Sequence, residues 1–148
     1  MTALRLYQGG YFKSLLSPEQ TGGQMAILDL VLPKGAEPPP HIHRHEDEVF
    51  YVLEGELEVS IDGKSSVLRA GDSCFAPRNF RHHFRIRTDS VRMLNIMTPG
   101  ALWNYFMEFS EPTSAGPTIS QPKQRSPEEL KKMGERLFLG FGIAMVAP

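Results

Sequence analysis

Residues 41–63 read HIHRHEDEVFYVLEGELEVSIDG, and the alternation inside this stretch decides the fold class. The run from Val49 to Leu53 is β-branched and aromatic, which predicts a strand with apolar residues on both faces. Glu54-Gly55 turns it. Leu57, Val59 and Ile61 then alternate with Glu56, Glu58 and Ser60, the pattern of a half-exposed strand. Asp62-Gly63 is a strong hairpin signal. Upstream, Met25 to Leu32 reads as a buried strand, apolar apart from Asp29, and Pro33-Lys34-Gly35 breaks it. Pro38-Pro39-Pro40 holds the chain extended just before His41. Downstream, further strands are expected around residues 66–68, 73–76, 82–87 and 91–97.

Short strands with turns every 8–12 residues or so indicate an antiparallel sandwich or barrel. Residues 1–24 read as irregular and glycine-rich, and no helix is expected before about residue 100. Residues 111–126 carry three prolines and polar filler, a surface link. Ser126-Pro127-Glu128-Glu129 is a helix start with Ser as N-cap. Leu130, Met133 and Leu137 recur at helical spacing, and Gly140 can end the helix. The expected organisation is one domain: a β core over about residues 25–110, the link, and a helix over about 127–139 packing on the outside of the core.

At 148 residues the chain is long enough for one domain that buries roughly 70% of its unfolded surface. Apolar residues make 41% and charged residues 22%, ordinary values for a globular protein. A net charge of -1 favours neither nucleic acid nor an acidic membrane as a global partner. The single cysteine, Cys74, cannot form an internal disulfide and reads as buried and inert. No apolar run is long enough to span a bilayer, and no signal-like segment opens the chain, so a soluble cytoplasmic protein is expected.

All five histidines fall in two clusters, His41, His43 and His45 and then His82 and His83, with Glu46-Asp47-Glu48 beside the first. Histidine is the commonest metal ligand among side chains. Residues two apart in a strand share a face, so His41 and His43 can converge on one ion. Glu48 has the opposite parity and joins them only if Arg44 to Asp47 bends. Past that bend, Glu48, Phe50 and Val52 share an inward row. In the second cluster His82, Phe84 and Ile86 share one face, while Arg81, His83, Arg85 and Arg87 share the other. The first face suits an interior and the second suits water, so His82 is the better ligand and His83 the surface residue. Three imidazoles and one carboxylate suit one divalent first-row ion, Mn, Fe, Co, Ni, Cu or Zn, with positions left open.

The spacing Gly35-x5-His41-x-His43-x4-Glu48-x6-Gly55 resembles the first cupin motif at every fixed position. Gly71-x5-Pro77-x-Asn79-x2-His82 resembles the second, with Asn79 where the family usually has Gly and Ile86 where it has a terminal Asn. The resemblance implies an all-β jelly-roll barrel, the cupin double-stranded β-helix, with metal ligands His41, His43, Glu48 and His82. A narrower likeness lies in the phrase from Glu46 to Glu56. It continues in a tail of Thr98-Pro99-Gly100, an aromatic stretch, a proline-rich link and a final helix. Both resemble bacterial quercetin 2,3-dioxygenase-like cupins. That likeness implies a metal-dependent dioxygenase acting on a small aromatic or enediol substrate, with Glu48 also taking a proton from the substrate. It further implies a homodimer. The same ligands equally serve a non-oxidative isomerase or lyase, or a small-molecule-binding module without turnover.

Phe50, Phe84 and Ile86 either line a substrate cavity beneath the metal or simply fill the core. His45 is a loop residue or orients a ligand. Arg78, Arg81, Arg85, Arg87 and Arg92 form a basic stretch that parity places largely on the outer face. Which of Met93, Asn95 and Met97 or Leu94 and Ile96 faces inward stays open. Trp103, Tyr105 and Phe106 cap the barrel or pack in a dimer seam.

Overall fold

The computed structural model describes residues 3–146. Strands β1 (Leu4–Tyr7), β2 (Gly10–Leu16), β3 (Ala26–Pro33), β4 (His41–His43), β5 (Asp47–Glu54) and β6 (Leu57–Ile61) come first. After them run β7 (Lys64–Leu68), β8 (Ser73–Ala76), β9 (His82–Ile86) and β10 (Ser90–Thr98). Helix α1 (Trp103–Glu108), β11 (Glu111–Thr113), helix α2 (Pro127–Phe141) and β12 (Ile143–Met145) follow, with short 3-10 helices at Pro18–Thr21 and Gly100–Leu102, the first a helical turn where the sequence predicts no helix. Two antiparallel sheets face each other, β11-β1-β2-β3-β10-β5-β8 and β12-β4-β9-β6-β7. This is the jelly-roll barrel with a C-terminal helix.

Parity along each strand builds the interior. On β5, Glu48, Phe50 and Val52 are buried, and on β10 so are Val91, Met93, Asn95 and Met97. Leu94 and Ile96 therefore face outward. On β9, His82, Phe84 and Ile86 point in. Phe12, Leu28, Phe50, Val52, Leu57, Ile86 and Met93 are almost fully enclosed between the sheets. Asp62-Gly63 forms the expected two-residue hairpin, with both residues at positive φ and Ile61 paired to Lys64. Gly55 sits at φ 88, where a Cβ would come within 2.6 Å of the Ser90 carbonyl oxygen.

Residues 4–16 are not irregular. β1 and β2 form a hairpin that adds two strands to the larger sheet. Gly10 opens β2 rather than ending a loop, because a Cβ there would collide with the Val31 carbonyl. Within the expected link, Glu111–Thr113 pairs with β1. Helix α2 begins at the Ser126 cap, whose Oγ accepts from the Glu129 N–H at 3.1 Å while Glu129 Oε2 accepts from the Ser126 N–H at 2.7 Å. It runs through Gly140 and ends at Gly142, which takes the left-handed conformation at φ 67. Phe141 packs against Tyr105, with ring centroids 5.9 Å apart, which holds the last residue of the helix to the core. Beyond it β12 pairs with β4, the strand that carries His41 and His43. No helix among the described residues is long and apolar enough to cross a membrane.

The two departures from the second motif have local explanations. Asn79 stands at φ 69, a conformation that Asn tolerates better than most side chains. Its N–H donates to the His43 carbonyl at 2.7 Å, which ties this turn to the first histidine pair. Ile86 is fully buried opposite Leu57. Replacing Asn79 with Gly should leave stability within about 0.5 kcal/mol, while Asn79→Val should lose about 1–2 kcal/mol for the left-handed backbone. Urea unfolding of both variants checks this, and equal losses would contradict it.

Candidate metal centre

Strand pairing assembles the site from both sheets. His41 on β4 stands directly across from His82 on β9. Their rings lie 4.5 Å apart, and His43 completes the cluster at 4.8 Å from His41 and 5.2 Å from His82. Glu48 reaches in from β5 of the opposite sheet. The segment Arg44 to Glu46 makes the bend that its parity requires. The Arg44 N–H donates to the Gly142 carbonyl at 3.0 Å, and Asp47 accepts from the Arg78 backbone N–H at 2.7 Å. The Arg78 side chain also bonds Asp47, and these hydrogen bonds hold the Asp47 carboxyl below its usual range.

One ligand-type atom from each of His41, His43, Glu48 and His82 lies within 4.8 Å of all the others, and all four residues are buried. His41 Nδ1 sits 2.8 Å from the Pro39 carbonyl, which can only accept, so Nδ1 carries the proton and Nε2 presents a lone pair inward. That Nε2 is 3.1 Å from His43 Nε2. Glu48 Oε1 is 2.7 Å from His43 Nε2 and 3.4 Å from His82 Nε2. Yet Glu48 Oε1 and both ring nitrogens of His82 make no well-formed hydrogen bond among the described residues. Buried polar atoms left so cost about 1–3 kcal/mol each. A divalent cation at their centre would engage Glu48 Oε1 and His82 Nε2 together, and three imidazoles with a carboxylate are a donor set for a first-row transition metal. The residues present fit such an ion.

The electrostatics differ among the four residues. Burial, reinforced by the neighbouring His43 and His82 rings, lowers the His41 pKa to about 3, so this imidazole is neutral. Burial also works to lower His43, but the Glu48 carboxylate outweighs it and the net shift is upward. Burial pushes Glu48 up, yet His43 and His82 hold it well below the usual carboxylate range. Its other oxygen, Oε2, accepts from Asn95 Nδ2 at 3.1 Å.

Other sequence readings sort themselves around this cluster. His45 is exposed and His83 half-buried, both off the ligand set. Phe50 and Phe84 line the cavity beside the histidines, whereas Ile86 does not reach it and belongs to the core below. Arg78, Arg85, Arg87 and Arg92 each face a carboxylate, so most of the basic stretch is internally compensated. Burial raises the Cys74 thiol, which suits an inert residue. Tyr105 and Phe106 line the cavity, while Trp103 turns away and donates to Ser14 Oγ at 2.8 Å.

Sequence reasoning missed four contributors. Asn95 had a signal, the lone polar residue between Met93 and Met97 on one strand face. Tyr7 had none in a stretch read as irregular, yet it lines the cavity and its hydroxyl lies 2.6 Å from that of Tyr105. Glu46 is buried within the bend, and burial raises its carboxyl. Leu137 enters the cavity wall from α2, so the helix closes the barrel mouth rather than merely lying on its outer surface.

Comparison with known proteins adds to this geometry. A family profile for the cupin domain matches residues 28–97. The quercetin 2,3-dioxygenase of Bacillus subtilis (strain 168) is 28% identical over 109 residues, which is 73% of this chain and 32% of that protein. The polyketide synthase protein CurC of Streptomyces cyaneus is 33% identical over 94 residues, 62% of this chain and 61% of that protein. The chain thus spans less than two thirds of either curated relative. Among solved structures, an RmlC-like cupin from Shewanella frigidimarina superposes with a TM-score of 0.58 at 29% identity, covering 68% of this chain and 86% of that one.

Removing the Asn95 donor should loosen the Glu48 carboxylate without removing a ligand. Asn95→Leu should weaken metal affinity about 10–100-fold while the far-UV spectrum stays unchanged. Competitive titration against a chromogenic chelator measures this, and an unchanged affinity would contradict the positioning role.

Proposed function

This chain belongs to the cupin superfamily, and on that premise we propose that it is a metal-dependent dioxygenase of quercetinase-like type acting on a small aromatic or enediol substrate. The observation that carries the reading is the opening of the four-ligand cluster onto an apolar cavity. Leu30, Leu32, Phe50, Phe84 and Phe106 form its walls beside the histidines. It offers about 60 Å³ to water centres, room for the reacting end of a substrate and no more.

His41, His43, Glu48 and His82 would hold the ion. An ion held there supplies Lewis acidity and, for the redox-active metals, electron transfer. The chain supplies the rest. Glu48 is ionised in the cluster, and a carboxylate bordering the apolar cavity can take the proton of a substrate hydroxyl brought beside it. Asn95 keeps the carboxylate oriented while that proton arrives. Phe50 and Phe84 meet edge to face, with centroids 5.8 Å apart, and offer a flat ring an apolar seat from which water is excluded.

Support for the dioxygenase reading also comes from the likeness to the Bacillus enzyme. A non-oxidative isomerase or lyase is the second reading, favoured by how little space the inner cavity leaves for dioxygen beside a substrate. Metal-loaded protein should consume dioxygen with a flavonol or catechol-type substrate in an oxygen-electrode assay. His82→Ala should reduce that uptake by roughly a hundredfold or more, exceeding the usual loss for an outer-shell change. Turnover that persists in strictly anaerobic buffer would instead establish the non-oxidative reading, and uptake retained in the variant would sink the assigned site.

A further inference from the structure

The inner cavity abuts a second space across its tyrosine pair. Tyr7, Ala36, Pro38, Tyr105, Leu137 and Met145 border it, and the same six residues border an outer chamber of about 350 Å³. The two spaces share a wall made largely of side chains. The inner one is too small for a whole drug-sized ligand, which usually needs about 300–1,000 Å³. The outer one has that capacity. A substrate whose reacting end enters the inner cavity must therefore leave its remainder in the outer chamber.

The chamber carries an excess of positive charge. Lys123 and Arg125, from the segment leading into α2, line it, and Arg125 is half-buried. Among the described residues neither side chain makes an ion pair or a hydrogen bond. The acidic residue on the same wall, Glu37, is already engaged: its two oxygens accept from the Gly35 and Ile86 N–H groups, each at 2.9 Å. Glu129 lies close enough to feel both cations, but its carboxylate is bound in the helix cap. Arg125 also stands near the inner doorway, where its charge favours the ionised forms of Tyr7 and Tyr105 against the burial that raises both. A half-buried guanidinium without an ion-pair or hydrogen-bond partner among the described residues, on the wall of a chamber beside an apolar cavity, is a receptor for an anion.

We propose that the substrate is an aromatic or enediol acid, with its hydroxyl end at the four-ligand cluster and its carboxylate on Arg125, where Lys123 strengthens the field. The tyrosine pair and Leu137 grip the scaffold between these ends. This assignment rests on the metal-site reading above and names the class of molecule that the site selects.

Zinc-loaded protein provides the test, because zinc has no redox chemistry and ligands remain unchanged. Zinc stoichiometry is measured first. Calorimetric titrations then compare catechol, 3,4-dihydroxyphenylpropionate and dopamine, which share a metal-binding head and differ in the charge of the tail. The acid should bind about tenfold more tightly than catechol, the scale of one charge-assisted hydrogen bond. Arg125→Gln should erase that preference and leave catechol affinity unchanged. Arg125→Glu should reverse it in favour of dopamine, an outcome that simple misfolding cannot produce. If catechol binds and the acid shows no advantage, or if Arg125→Gln weakens both equally, the tail assignment is overturned and the metal reading stands. If zinc binds and catechol does not, both assignments fail.

Discussion

A carboxylate and three imidazoles removed from water inside a β-barrel satisfy one another only in part. His41, His43, Glu48 and His82 are all buried, and among the described residues Glu48 Oε1 and His82 Nε2 lack a well-formed hydrogen bond. Isolated buried charge costs far more than a small core can offset, so such a group must be paired or must bind a metal. The rest of the architecture serves this constraint. β12 and β9 fix β4 on both sides, so two histidines of opposite strands meet. The Asp47–Arg78 bonds and the Arg44–Gly142 bond pin the bend that brings Glu48 onto the inner face of the other sheet. Asn95 then holds the one carboxylate oxygen that points away from the cluster.

Much of this was legible in residue order. Strand parity alone separated His82 from His83 and placed Phe50 and Phe84 inward, because a side-chain period of two leaves no other choice once one face is apolar. The spacing of glycines and prolines identified the turns, and Asn79 kept its turn by tolerating the left-handed backbone. What escaped reading depended on tertiary approach. Gly10 looked like a loop residue because its reason, a close pass by Val31, lies on another strand. β12 is three residues long and gains its identity only by docking on β4. Ile86 shares parity with the cavity residues yet sits too far down the barrel, and parity carries no information about depth.

The closing elements show how local signals combine into a functional shape. The α2 helix has a strong start, but only Leu137 among its residues is buried. That contact, with Phe141 against Tyr105, holds the helix beside the cavity, where Leu137 borders both a tight inner space and a wider outer one. Tyr7, contributed by the first hairpin, and Tyr105, contributed by α1, meet at the same doorway. Three segments distant in sequence thus set the passage to a site built by three others. The doorway and the ligand cluster are built from different parts of the chain.

The central claim is that the buried cluster exists to hold an ion. Metal analysis of the protein, combined with X-ray absorption at the edge of whichever metal is found, tests it most directly. The account predicts one ion per chain with imidazole scattering from three histidines and an oxygen ligand from Glu48. Less than about half an ion per chain after incubation with excess divalent metal, or a spectrum without imidazole scattering, would contradict it.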